Sequence, residues 1–255
     1  MLAPEDYLDA IRRDGHALVD AAERAGMGTS VHACPEWEVA DLVWHTGEVH
    51  QFWRTIVAGR LRSPHDVAQP ERPTREELGA WYRDGVERLH ATLAEADPGA
   101  EVWTWAPQRD VAFIQRRMAQ ETAVHRYDAE HAAGADHAVE TGLALDGLDE
   151  FLTFFLPVTA PAAAPLAGSV HLHAIDGETG TAADRGHRPG GGEWSILDVG
   201  GDLVVRAEHS KGDVAVRGVA SDLLLLLWGR LAPAELEVFG DVAVLDRFLN
   251  RADLS

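Results

Sequence analysis

The hydrophobic period changes once along this chain, and that change constrains the fold more than any other feature. Up to about residue 158, apolar residues recur every three or four positions, the spacing of one helix face. Leu8, Ile11, Leu18 and Ala22 mark a first helix, ended by Gly26 and Gly28. After a loop over Thr29–Trp37, a second helix starts around Val39 and carries the seam Leu42, His45, Val49, Phe52 and Ile56. A capping box, Thr74-Arg75-Glu76-Glu77, opens a third helix bearing Leu78, Tyr82, Leu89 and Leu93, and Pro98-Gly99 stops it. A fourth shows Ile114, Met118, Glu121, His125 and Asp128 and closes at Gly134, and a further apolar helix covers 142–155. Four long helices separated by turn signals suggest an up-and-down bundle.

Beyond the Ala/Pro-rich stretch 157–165 the period is two. Segments 170–175, 194–199, 214–217 and 236–239 read as strands, 220–231 and 242–249 as helices, and 186–192 as a flexible loop. The expected fold class is therefore α+β in two domains: a helical bundle over 1–158 and a small α/β domain over 159–255.

Charge narrows the function classes. Against 22 Lys and Arg stand 42 Asp and Glu, a net −20, so most of the surface repels nucleic acid and anionic membranes. No basic, apolar leader and no bilayer-length apolar run is visible, so the expectation is a cytoplasmic protein with neither nucleic acid nor membrane as partner. A single cysteine, Cys34, excludes an intramolecular disulfide and a Cys-rich zinc module. It precedes a proline and reads as a small packed residue rather than a nucleophile.

The chemistry lies in three polar residues placed where leucines belong. Glu121 and His125 are four apart on one helix and point the same way, while His45 sits in the seam of another. Burying a carboxylate and two imidazoles is costly unless they are paired or hold a cation. Two neutral imidazoles and a carboxylate leave one position open, as in catalytic zinc sites, and the set also suits iron or nickel. The plain alternative is a solvated i,i+4 contact. Glu48, three residues after His45, is a candidate fourth ligand or an acceptor behind an imidazole. His50 is turned away, and His131 and His137 read as surface residues. Asp128 is placed to orient an imidazole or to serve as a cap. Trp103 and Trp105 suit core packing better than a pocket wall.

The run Ala33-Cys34-Pro35-Glu36-Trp37-Glu38-Val39-Ala40-Asp41-Leu42-Val43-Trp44-His45 resembles the first signature of the actinobacterial mycothiol-dependent maleylpyruvate isomerase family. Residues 116–130, which contain Gln120-Glu121-Thr122-Ala123-Val124-His125, resemble the second, and 146–151 and 216–230 resemble later blocks. The resemblance implies a DinB-like four-helix bundle joined to a small α/β domain, with zinc held by His45, Glu121 and His125. It also implies that Arg230 is a catalytic-site arginine from the C-terminal domain, holding a carboxylate. Mycothiol would be the thiol cosubstrate, because the chain's one cysteine is not placed for the task.

The implied activity is that of a metal- and thiol-dependent transferase or isomerase. A metal-bound thiolate attacks a small electrophile, which is a carboxylate if Arg230 holds it. Addition, rotation and elimination give cis–trans isomerisation, whereas addition or substitution alone gives an S-conjugate. A metal-dependent hydrolase using activated water, a non-catalytic small-ligand-binding protein and a metal-free polar network are the alternatives.

Overall fold

The computed structural model describes residues 1–159, 165–177, 191–200 and 202–251. They form two units, Leu2–Val139 and a second comprising Met1 with Glu140–Ser255. The division falls ahead of the Ala/Pro stretch, because the helix that begins at Thr141 packs on the Leu-rich helix of the second unit. The expected domain boundary at 158/159 lies further along the chain.

In the first unit α1 spans Pro4–Ala25, with Pro4 in its first turn and Gly26 at φ +87° closing it. Two short antiparallel strands follow, β1 (Ser30–Val31) and β2 (Cys34–Glu38). A loop was expected there, and strands this short carry no alternation by which to detect them. The next helix, α2, spans Val39–Gly59, and the Asp41 carboxylate accepts the Glu38 N–H at 3.0 Å in its first turn. Then come α3 (Leu78–Glu95) and α4 (Val111–Ala132), the latter capped by Asp110 accepting the Phe113 N–H at 3.0 Å.

The four helices enclose a core that includes Leu18, Leu42, Leu78, Tyr82 and Val86. Around it, α1 and α2 each pack on both α3 and α4, whereas α1 and α2 touch each other far less. Consecutive helices α1 and α2 therefore lie on a diagonal, unlike a simple up-and-down bundle in which every sequence neighbour adjoins. The connections, 26–38, 60–77 and 96–110, are long enough to permit the crossing. Between α2 and α3 the packing is close at Gly47, where a Cβ would fall 2.2 Å from the Trp81 ring. The fold consequence that matters is that α2 and α4 are neighbours.

The second unit begins with α5 (Thr141–Glu150), whose first N–H groups are accepted by the Glu140 carboxylate. The helix passes through a π-helical turn at Phe151–Phe155 into α6 (Leu156–Thr159). A five-stranded mixed sheet follows: β3 (Ser169–Ala174), β4 (Glu193–Val199), β5 (Asp202–Arg206), β6 (Val214–Gly218) and β7 (Glu237–Gly240). Its order is β5-β4-β3-β6-β7, with β3 and β6 parallel and every other pair antiparallel.

Val170, Leu172, Ala174, Ile196, Val214 and Val216 are fully buried, as alternation predicts for one face of a sheet. The helices α7 (Ala220–Leu227) and α8 (Val242–Leu249) pack on β3 and β6. The expected loop at 186–192 lies outside the described residues up to 190. Strand β5 escaped the sequence reading because Leu-Val-Val is too short a run to alternate. Among the described residues no helix is long and apolar enough to cross a membrane.

Candidate metal centre

Because α2 and α4 adjoin, the seam histidine of one meets the Glu-x-x-x-His pair of the other. One ligand atom from each of His45, Glu121 and His125 lies within 4.8 Å of the other two. Glu121 Oε1 is the hub, 3.4 Å from His45 Nε2 and 3.2 Å from His125 Nε2. The two imidazoles stand edge to face, with centroids 5.2 Å apart. His125 is buried and His45 half-buried, so the cluster opens on the His45 side.

Neighbours fix the orientation of two of the three. His125 Nδ1 lies 2.9 Å from Asp128 Oδ2, one turn further along α4, which leaves Nε2 to face Glu121. Arg117, one turn earlier and also buried, donates from Nη2 to Glu121 Oε2 at 3.4 Å and leaves Oε1 for the cluster. Burial alone would raise the Glu121 carboxyl. The positive charge of His125, the hydrogen bonds of both histidines and Arg117 overcome that and hold it well below the usual range. Burial would likewise depress His125, but Glu121 and Asp128 reverse the effect and push it up to about 9. Without an ion, a proton on His125 takes over the balancing of charge.

The remaining candidates separate cleanly. Glu48 is not part of the cluster: its Oε1 accepts from Gln69 Nε2 at 3.0 Å. His50 is buried beside the ring of Tyr82, bonded through Nε2 to Thr122 Oγ1 at 2.8 Å, and its burial lowers it to about 4, so it is a neutral core imidazole. His131 and His137 are exposed and pair with Asp136 and Glu130. Arg126 is buried and ties the chain after α4, donating to Glu130 and to the carbonyls of His137 and Ala138. Cys34 is half-buried at the start of β2, packed against the bundle core. Arg230 belongs to the second unit, where it is half-buried just beyond α7 and Nη1 donates to the Trp228 carbonyl at 2.7 Å.

Beside His45 is a cavity of about 430 Å³, lined among others by Val49, Phe52, Trp53, Val67 and Pro70. Trp103 stacks on Trp53 with centroids 5.7 Å apart and meets Phe52 edge-on, so it backs this wall from behind, whereas Trp105 packs on Phe113. The wall segment 67–70 and the role of Arg117 were missed in the sequence. For Arg117 a signal existed, since it stands four residues before Glu121. For 67–70 none did, because a loop's position depends on what it packs against.

The family described as Mycothiol maleylpyruvate isomerase N-terminal domain matches residues 8–130, and the MDMPI C-terminal domain matches residues 142–247. Among solved structures, a mycothiol-dependent maleylpyruvate isomerase is similar with a TM-score of 0.59 at 14% identity, over 93% of each chain. A histidine-to-alanine variant of such an isomerase gives a TM-score of 0.61 at 14% identity and the same coverage of both chains. At that identity the likeness speaks to the fold alone. No curated protein matches this chain.

Proposed function

The chain belongs to the mycothiol-dependent maleylpyruvate isomerase family, a family of thiol-dependent enzymes, and from that premise we propose that His45, Glu121 and His125 hold a divalent metal at which an external thiol is activated. The observation that carries this reading is the convergence of three donor atoms on one point beside a cavity. Donors bound at about 2.0–2.1 Å in a tetrahedral site stand about 3.3 Å apart, close to the 3.2 and 3.4 Å found here. Zinc suits the two-nitrogen, one-oxygen set, with iron and nickel as alternatives. When bound, such an ion supplies a Lewis acid that lowers the pKa of a coordinated thiol toward neutrality.

The chain's own residues do the rest. Asp128 accepts the Nδ1 proton of His125 and so presents the lone pair of Nε2 to the site. Arg117 neutralises part of the Glu121 charge and fixes which oxygen faces inward. Val49, Phe52 and Trp53 form an apolar wall of the cavity next to His45, on the side where a substrate and thiol enter. Mycothiol supplies the sulfur. The electrophile is a small molecule with a conjugated double bond, which undergoes cis–trans isomerisation by reversible thiol addition. The role of Arg230 in holding a substrate carboxylate comes from the family resemblance.

The test is metal analysis of the purified protein together with isomerisation of maleylpyruvate, followed by absorbance with and without mycothiol. Bound zinc, iron or nickel and thiol-dependent turnover that His45→Ala abolishes are expected. Full activity in His45→Ala, or no bound metal and no response of stability to a chelator, would overturn the site assignment. Metal without any thiol-dependent reaction would favour the hydrolase or binding-protein alternative. Arg230→Ala should raise KM for a carboxylate substrate by about tenfold or more.

A further inference from the structure

A second histidine cluster lies on the sheet of the other unit. His171 and His173 are two apart on β3 and so share a face, opposite the face that Val170, Leu172 and Ala174 turn to the core. Glu193 opens β4 directly across from His173 in the antiparallel register. On the far side of β4, Arg206 of β5 pairs with Ser195, so the chain leaving β5 runs alongside Glu193 and carries His209 to it. β3 thus delivers two imidazoles, and the chain beyond β5 a third, to one carboxylate on β4.

The distances bring His171, His173 and Glu193 within reach of one ion and hydrogen-bond His209 to the carboxylate. Glu193 Oε2 is 3.1 Å from His171 Nε2 and 2.5 Å from His209 Nδ1, and Oε1 is 3.7 Å from His173 Nε2. One ligand atom each of His171, His173 and Glu193 lies within 4.8 Å of the other two. The His209 ring stands edge-on to that of His171, with centroids 5.4 Å apart.

His171 is the telling member. Its side chain is only 6% exposed, yet neither ring nitrogen makes a well-formed hydrogen bond. A buried imidazole in that state costs free energy unless something electron-poor is added. Its Nε2 lies 3.1 Å from a Glu193 oxygen, so the neutral ring either donates its one proton there or turns a lone pair toward the cluster. A divalent cation set among these atoms would accept a lone pair from each of His171, His173 and Glu193. Entry is open, since His209 is 79% exposed and His173 29%.

We propose that His171, His173 and Glu193 form a second metal site, taking a late first-row divalent ion of the zinc, cobalt or nickel kind, with His209 holding the Glu193 carboxylate in place. Nitrogen donors in the majority select against calcium and magnesium. Two imidazoles and a carboxylate hold the ion between neighbouring strands, and its fourth position faces the open side. It clamps β3 to β4, and His209 ties the segment after β5 to the same carboxylate. The proposal stands on the second unit alone and does not depend on the reading of the helical site.

Full-length protein stripped with a chelator is dialysed against Zn²⁺ and its metal content counted, with His45→Ala used to disable the helical site. One equivalent should remain bound in His45→Ala, and none in His45→Ala/His173→Ala/His209→Ala, whose two added changes fall on partly exposed side chains. Co²⁺ in place of Zn²⁺ should give the intense visible bands of a tetrahedral ion in His45→Ala and lose them in the triple variant. Circular dichroism establishes that both variants are folded. Folded His45→Ala that binds no metal overturns the proposal, as does binding unaffected by the two further changes. If the helical site binds no metal at all, wild-type protein still binds one equivalent, which His173→Ala/His209→Ala removes.

Discussion

Two clusters of histidine and glutamate occupy the two units, and they are built on different periods. The helical one uses an i,i+4 pair on α4 and a third residue from α2, so its members lie inside a bundle seam. The sheet cluster uses an i,i+2 pair on β3, a partner across the register on β4 and a fourth residue beyond β5. The first has dedicated orientation: Asp128 behind His125 and Arg117 behind Glu121. In the second, buried His171 lacks such a backing hydrogen bond. The first keeps an open side next to an apolar cavity, and no such cavity is described beside the second. Similar residue types are thus gathered by a helix face in one unit and by strand register in the other.

The largest test of this contrast breaks the pair on α4. His125→Ala should lower thiol-dependent turnover by about 10³-fold, on the order of 4 kcal/mol of transition-state stabilisation, and empty the helical site. Steady-state kinetics and metal content read both. A tenfold or smaller loss would mean that the helical cluster is a structural network after all.

A second test asks what a buried imidazole does with no ion near it, and His50 is the comparison for His171. Burial places its folded pKa at about 4 against an ordinary 6.5. Between those values the unfolded chain binds the proton and the folded chain does not. The stability from this group is complete above pH 6.5 and declines as the pH falls toward 4, by about 3 kcal/mol. Urea unfolding of chelator-treated protein across that range should show the decline, and His50→Asn should flatten it. Equal slopes in the two proteins would mean that another group, such as nearby Glu121 or His125, sets the acid limit.

The smallest effect belongs to the orienting carboxylate. Asp128→Asn keeps the shape but weakens the acceptor behind His125, and should reduce metal affinity at the helical site by about 10–100-fold. A competition titration with a chromophoric chelator measures it. No change would place Asp128 among capping residues and remove the distinction drawn between the clusters.

Much of the helical site was legible because its information is local. A Glu four residues before a His shares a face whatever the tertiary structure, and a polar residue in an apolar seam is visible in one dimension. Asp128 lies one turn on and follows the same rule. The seam of α2 identified His45 as inward-facing, although only packing could say that its neighbour is α4 rather than α1. The ordering of the bundle, with α1 and α2 on a diagonal, is of the same kind: it depends on where long connections let helices dock. Glu48 and His50 show the reverse. Both lie near His45 in sequence, and each is engaged elsewhere, by Gln69 and by Thr122.

The sequence by itself determined that this chain has a helical part and a sheet part, that its acidic surface disfavours nucleic acid, and that Glu121 and His125 act from one face of one helix. Those statements rest on backbone periods and on charge, which each residue carries with it. Tertiary structure alone decided that α2 delivers His45 to that pair, that loop 67–70 walls a cavity beside it, and that Glu193 and His209 meet two histidines of β3. Helix docking and strand register bring together residues far apart in the chain, so no short window of sequence contains them.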